Sequence, residues 1–336
     1  MNQFKTEMVR YLQVEYYIYG ALCANIQTMN YTVKNVFKIF SILLFLGVAS
    51  FFVFRFFPAT AEQTIAVPLS VEPQETIVVP VEPIVNYHAV ASKDTTAWLE
   101  SLESGDTLMA LMVLNRTDGW RLKHLDTLVF PDTIGVGIDM YAPFPEKVEA
   151  LENVKKILFV SHYMQAFAVY ENGERIKWGP VSLGRKLKPT PVGLFATNWK
   201  SKRTTSTINS SWILDWYFNL DNFEGIGMHQ YALPGFPASH GCVRLYRDDS
   251  NWLYHWADQW VIEEGKISIH GTPVVIFGEY PYGEGRPWVT QAKDSLSLEI
   301  TPNELMSITQ EYLPIIMERQ AKRDSLESTK LLAEEV

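Results

Sequence analysis

Cys242 stands in the run Ser239-His240-Gly241-Cys242-Val243-Arg244, and a further histidine, His229, lies eleven positions before His240. A cysteine with imidazoles nearby can be a nucleophile. The thiolate is the form that attacks a carbonyl well, and imidazole suits proton transfer near neutrality. A free thiol titrates near ~8.5, so the site must supply a base or a cationic neighbour. The candidate roles are Cys242 as nucleophile and His229 as general base, with His240 either tuning the thiolate or bracing its loop. Gly241 lets a substrate approach the backbone closely, and the Gly241 and Cys242 amides are candidate donors to a tetrahedral oxyanion. Ser239 suits a hydrogen bond within its own loop. Arg244 can clamp a substrate carboxylate or form a structural ion pair with Asp248 or Asp249. Tyr231, Trp212 and Trp216 are candidate cleft walls. His229, His240 and Cys242 could in principle hold zinc, but no fourth ligand stands at a recognisable spacing, so no metal is expected. The remaining histidines, at 88, 124, 162, 255 and 270, read as structural or solvent-facing.

The elements that must position these groups read as short strands. Lys156–Val160 and Ala166–Tyr170 are strands, Asn172-Gly173 is a hairpin turn, and Ile176–Leu183 supplies the partner strand. Gly225–His229 is a strand that would hold His229 rigidly. Lys266–His270 and Pro273–Phe277 flank Gly271-Thr272 and predict a second hairpin. One helix is expected over Asp248–Val261, capped by Asp248 or Asp249, with Trp252, Trp256 and Trp260 on one face. Many short strands with few helices predict a mainly β domain.

The run around Cys242 resembles the signature of the L,D-transpeptidase catalytic domain, a family of bacterial enzymes that cross-link peptidoglycan stem peptides. The family pattern is a first His, a spacer, Ser/Thr-His-Gly-Cys, a hydrophobic residue and then Asn or Arg, and every fixed position is filled. Gly184-Arg185-Lys186 followed by Pro189-Thr190-Pro191-Val192-Gly193-Leu194-Phe195 is similar to a second family element. The spacer is a departure. Only nine residues, Gln230 to Ala238, separate His229 from Ser239, where the family usually carries a longer loop, so the lid over the nucleophile should differ. The resemblance implies a β-sandwich-like fold with the cysteine in a cleft, no cofactor, and His229 as base with its ring oriented by the Gln230 carbonyl. It also implies acylation of Cys242 by a stem peptide with loss of the terminal D-alanine, and labelling by carbapenems, which mimic the donor acyl group. The acceptor stays open: a second stem, a lipoprotein lysine, or water, which would make the protein a carboxypeptidase or endopeptidase. A noncatalytic wall-binding protein is the reading from another class, and it predicts a degraded Ser-His-Gly-Cys block.

The remainder of the chain sets the context. With 47% hydrophobic and 20% charged residues the chain can bury a core, and a formal net charge of -9 argues against nucleic acid as the main partner. Two cysteines, Cys23 and Cys242, are too few for a disulfide framework. Residues 1–35 form a lead, of which 1–28 fit no targeting device; Met29 is the expected start, the alternative being a short cytoplasmic tail. Residues 36–57 contain Ile39–Phe54, a run without charged residues flanked by Lys38 and Arg55. It reads as an inner-membrane anchor, or as a signal cleaved near Ala61. The lysines before the run leave the bulk of the chain on the periplasmic side, in the cell envelope. Residues 58–95 read as a Pro-rich linker and 96–135 as a small unit with a lysin-motif resemblance, which would imply glycan binding, or else as a helical lead-in packed on the catalytic domain. The catalytic domain is set at 136–290, and 291–336 reads as a charged C-terminal helix, either solvated or partner-binding.

Overall fold

The computed structural model describes residues 85–334 apart from 103, 104 and 136. The chain divides into Met1–Val79 and Pro80–Val336. The first unit, with the apolar run 39–54 and the Met29 start, lies outside the described residues, as does the Pro-rich stretch up to residue 84. Among the described residues no helix is long and apolar enough to cross a membrane.

Strand β1 (Tyr87–Ala91), helices α1 (Thr96–Ser101) and α2 (Asp106–Asn115), and strand β2 (Thr127–Pro131) open the second unit. β1 and β2 pair antiparallel in register Tyr87 with Pro131 through Ala91 with Thr127. β1 falls inside the stretch read as linker. Its partner lies some forty residues on, so local composition could not report it.

The main sheet is built from β3 (Ile157–Ser161), β4 (Ala166–Glu171), β5 (Glu174–Ser182), β6 (Gly193–Ala196), β7 (Lys200–Thr205), β8 (Ile213–Asp221), β9 (Ile226–Gln230), β10 (Val243–Leu245) and β13 (Pro273–Phe277). These nine strands run in the order β6-β13-β3-β4-β5-β10-β9-β8-β7. Asn172 and Gly173 take φ of 49° and 81°, the left-handed geometry of a tight hairpin, between β4 and β5. Successive strand residues point to opposite faces, and both faces of β3 and β4 are buried. Leu158, Val160, Phe167 and Val169 share one core with Phe218, Leu220, Ile226 and Met228 from the other half of the sheet. The two halves therefore face each other, and the sandwich is one sheet packed against itself. Helix α3 (Arg247–Trp256) closes this core with Leu253.

The opposite face carries a second core. Phe159, Ala168, Tyr170 and Trp178 pack with Val113 and Leu114 of α2 and Val129 of β2, and with Leu305 and Ile316 from α4 (Pro302–Thr309) and α5 (Leu313–Glu334). α4 starts with a capping box, Thr301 with Glu304, and Pro302 in its first turn. The charged C-terminal segment thus presents polar residues to water while its apolar positions complete the core.

Two expectations are corrected. Lys266–Ile269, strand β12, pairs with β11 (Val261–Glu263), whereas β13 pairs with β3 and β6, so the strands around Gly271-Thr272 do not form a hairpin. Gly271 is packed so tightly that an added Cβ would lie 1.9 Å from the Thr197 carbonyl oxygen, which fixes the chain as it leaves one sheet for the other. The helix ends at Trp256, not Val261, and neither Asp248 nor Asp249 caps it: Tyr246 is the N-cap, with no side-chain cap bond. Asp249 instead pairs with Lys177 at 2.8 Å. Trp252 and Trp256 do share a face, stacked at 5.5 Å, while Trp260 lies beyond the helix.

Candidate active site

β9 and β10 run parallel, with Met228 opposite Val243 and His229 opposite Arg244. In a parallel pair, opposed residues point to the same face, and the side-chain period is two. His229 and Arg244 therefore share a face, and Cys242, two residues before Arg244, shares it too. Gly227 precedes His229 by the same interval. An added Cβ there would sit 2.6 Å from the Tyr217 hydroxyl and ring, so its missing side chain is the space the Tyr217 phenol fills. These groups open into a cleft of about 30 Å³ lined by His229, Tyr231, Ser239, His240, Cys242 and Arg244, with Trp212, Leu214, Ser206 and Ile208 opposite.

His229 is buried, and its Nδ1 lies 2.9 Å from the Gln230 carbonyl oxygen. A carbonyl can only accept, so Nδ1 carries the proton and Nε2 keeps the lone pair. Burial holds the ring well below the usual imidazole range, at about 4, against the hydrogen bond to Gln230 and helped by the Arg244 charge. Burial also pushes the Cys242 thiol up, opposed by a backbone hydrogen bond from Gly227 and by Arg244. The Cys242 thiol faces the Gly225 carbonyl at 3.6 Å. Both shifts favour a neutral thiol and a neutral imidazole over their charged forms.

The loop before Cys242 is tied internally. Ser239 Oγ donates to the Cys242 carbonyl at 2.6 Å and accepts from the Gly241 N–H at 3.1 Å. The Gly241 amide is thus engaged inside the loop in this conformation, which leaves the Cys242 amide as the candidate oxyanion donor. Gly241 has φ +116°, a region suited to glycine, and an added Cβ would meet Ile226 at 2.8 Å. The Gly184–Phe195 element braces the same loop. Arg185 N donates to Ser239 O at 3.0 Å and Ser239 N donates to Leu183 O at 2.9 Å. Thr190 Oγ1 accepts from Gly184 N at 2.9 Å, closing the turn behind it.

His240 is half-buried, with its ring 5.0 Å from Trp212 and its Nδ1 buried without a hydrogen-bond partner among the described residues. Burial and the charges of Arg185, Arg244 and Lys188 hold it below the usual imidazole range. Arg244 lies over the Tyr231 ring at 4.5 Å and makes no ion pair with Asp248 or Asp249, the latter being taken by Lys177. Trp216 is not a cleft wall. Its φ of 52° at a bulge in β8 turns it out onto Tyr254 and His255.

Several residues that build the site carried no sequence signal. Thr117 and Asp118, just after α2, hold the short spacer loop. Asp118 N donates to Leu233 O at 3.0 Å, Asp118 Oδ2 accepts from Leu233 N at 3.0 Å, and Thr117 Oγ1 donates to Leu233 O at 3.1 Å. The β7–β8 loop, with Ile208 and Trp212, covers the opposite side. A signal was available only for Gly227, a side-chain-free position two residues before a strand histidine, and the sequence reading passed over it.

Residues 155–276 match the family model YkuD, the L,D-transpeptidase catalytic domain. Among solved structures, an L,D-transpeptidase (Yku) from Stackebrandtia nassauensis is 27% identical, covering 38% of this chain and 57% of that one, with a TM-score of 0.31. L,D-transpeptidase 1 of Mycobacterium tuberculosis is 25% identical over 37% of this chain and 62% of that one, with a TM-score of 0.28. An L,D-transpeptidase from Mycobacterium smegmatis is 20% identical over 37% of this chain and 59% of that one, with a TM-score of 0.30. The chain therefore spans less than two thirds of the length of each of these three proteins. No curated protein matches the chain. The segment that carries the cleft, residues 155–276, belongs to the L,D-transpeptidase catalytic-domain family.

Proposed function

We propose that the protein is a peptidoglycan L,D-transpeptidase with Cys242 as nucleophile and His229 as general base. The observation that carries this is the β9–β10 register, which sets Cys242 and His229 on one face of a cleft with the His229 lone pair at Nε2. As Sγ attacks the carbonyl of the third stem residue, its proton passes to Nε2, and the new C–S bond leaves a tetrahedral oxyanion near the Cys242 amide. Collapse breaks the C–N bond to the terminal D-alanine, whose amine takes the proton from the imidazolium. The thioester is then attacked by an acceptor amine. That amine gives up a proton to His229, which returns it to the departing thiolate. Water as acceptor would make the same steps a carboxypeptidase or endopeptidase reaction.

A neutral resting pair makes proton transfer part of the attack, so the base acts when the acyl donor is seated. The loop carrying Ile208 and Trp212 lines one side of the cleft that a stem peptide would enter. Mass spectrometry of the protein incubated with a disaccharide-tetrapeptide tests the reading. A cross-linked dimer is the expected product, a shortened stem would favour hydrolysis, and an unchanged substrate with no acyl adduct would reject the assignment. Carbapenems are the expected covalent probes of Cys242. The proposed site of action is the periplasmic side of the envelope, with Ile39–Phe54 as the anchor. Recovery of full-length protein in the inner-membrane fraction supports this, and a soluble product beginning at Glu62 would overturn it.

A further inference from the structure

Strand β8 carries a bulge beside His229. Asp215 lies opposite Gln230 and Phe218 opposite Met228, so two residues, Trp216 and Tyr217, stand against His229 alone. Trp216 takes the strain. Its φ of 52° is a region that bulky side chains rarely adopt, and the indole is turned out onto Tyr254 and His255. Tyr217 turns instead to the base: its ring lies 6.2 Å from that of His229 with 27° between the planes, and Trp199 backs it at 5.0 Å. Backbone strain held next to a reacting group points to a role for the side chain it positions.

The hydroxyl end of Tyr217 has a defined place. On the face that carries His229 and Cys242, side chains recur every two residues. Gly227 is the β9 position before His229 on that face, and because Met228 faces Val243, the same register carries Gly227 opposite Cys242. The Tyr217 hydroxyl and ring lie 2.6 Å from where a Gly227 Cβ would be. A phenol from β8 therefore fills the slot across from the thiol. Tyr217 is 4% exposed, and its oxygen accepts from Asn219 Nδ2 at 3.1 Å. Asn219 is itself fixed. Its Oδ1 accepts from Asn198 at 3.0 Å, and its Nδ2 also reaches the Asp221 and Ile226 carbonyls at 3.2 and 3.4 Å. Asn219 is the one hydrogen-bond partner of the phenol among the described residues, and it is a donor, so the O–H proton is left to be given. Burial pushes Tyr217 up to about 12, which keeps that proton in place at any working pH.

A buried thiolate needs donors. The resting thiol faces only the Gly225 carbonyl at 3.6 Å, and burial already penalises its ionisation. Charge reaches the sulfur twice: when Sγ gives its proton to His229, and when the C–S bond of the thioester breaks and its electron pair returns to sulfur. The Gly227 N–H is one donor to it. We propose that the Tyr217 hydroxyl is the second, donating a hydrogen bond to the Cys242 sulfur whenever that sulfur carries charge, which makes Tyr217 a catalytic residue contributed by β8. The inference rests on Cys242 being the nucleophile of the transpeptidase reading. The phenol transfers no proton, and His229 remains the group that takes and returns it. Asn219 is the positioning residue, since it aims the hydroxyl without touching the sulfur.

The test is the ionisation of Cys242 in full-length wild type and Tyr217→Phe. It is read as iodoacetamide alkylation of the peptide containing Cys242 from pH 6 to 9, so that Cys23 does not contribute. Phenylalanine keeps the ring against His229 and removes only the donor. A hydrogen bond to a charged group is worth roughly tenfold or more in ionisation, of which a less solvated thiolate returns part as nucleophilicity. Alkylation should therefore slow about threefold or more at each pH, and carbapenem acylation should slow with it, in a variant that circular dichroism shows to be folded. Difluorotyrosine placed at position 217 is a stronger donor of nearly the same shape and should speed alkylation; this arm decides the matter even where Tyr217→Phe does not fold. Unchanged alkylation in folded Tyr217→Phe, or with the fluorinated phenol, overturns the inference. Slower acylation with unchanged alkylation also overturns it, because the phenol would then act through packing or through His229. If wild type forms no acyl adduct, the transpeptidase reading falls, while the alkylation rates still decide the hydrogen bond to sulfur by themselves.

Discussion

The neutral state of His229 has a consequence that can be measured in two independent ways. The perturbation is acid. Burial lowers this ring from an ordinary 6.5 to about 4, which at ~1.4 kcal/mol per decade is about 3 kcal/mol against protonating it in the folded chain. The sign follows from linkage. Between pH 6.5 and 4 the unfolded chain takes up this proton and the folded chain does not, so stability is lost as pH falls through that window and is unaffected above it. Urea unfolding of wild type and His229→Gln, followed from pH 7.5 down to 4.5, isolates the contribution. The wild type should lose up to about 3 kcal/mol more than the variant, since glutamine has nothing to protonate. In the active protein the same neutrality should keep carbapenem acylation flat from about pH 5 upward and make it fall only as pH approaches the folded value of about 4. Intact-mass measurement of adduct formation against pH gives that profile. An acid limb near 6.5, or wild type and His229→Gln losing stability in parallel, would refute the claim that burial keeps this imidazole neutral.

Further outcomes follow from the packing and the loop. Cys242→Ser should give no acyl adduct, because a hydroxyl is far harder to ionise beside the same base, and an undiminished adduct in intact-mass analysis would remove Cys242 from the mechanism. A chain ending at residue 290 loses Leu298, Leu305 and Ile316, all buried in the second core; at ~1.5–3 kcal/mol each their loss approaches a whole domain's stability of ~5–15 kcal/mol, so circular dichroism should show no cooperative unfolding transition. Asp118→Ala leaves the Leu233 N–H without its acceptor and should cost ~1–2 kcal/mol, with slower acylation of a protein that still folds; an unchanged rate would show that the spacer loop needs no clamp.

The sequence by itself determined which residues are candidates for chemistry and the local geometry around them. Cys242, His229 and His240 could be singled out as candidates because a nucleophile, its base and its loop require particular residue types at close spacing. Asn172-Gly173 was legible because few residues accept positive φ. Strand periods placed β3, β4 and β5 to within a residue or two. Tertiary structure decided everything that depended on a distant partner. β1 is a strand only because β2 pairs with it. β13 pairs with β3 and β6 rather than with its sequence neighbour β12, and its central residues are buried in the main sheet. The charged C-terminal segment gained a buried side, Leu305 and Ile316, from a core that no local pattern reveals. The cleft followed the same division. The candidate reactive groups lie within a short stretch and could be named, whereas Tyr217 and Asp118 come from elements whose proximity is set by strand order and loop clamping. Local patterns encode backbone preference and residue chemistry, but which surfaces meet is fixed by the burial of apolar faces over the whole chain.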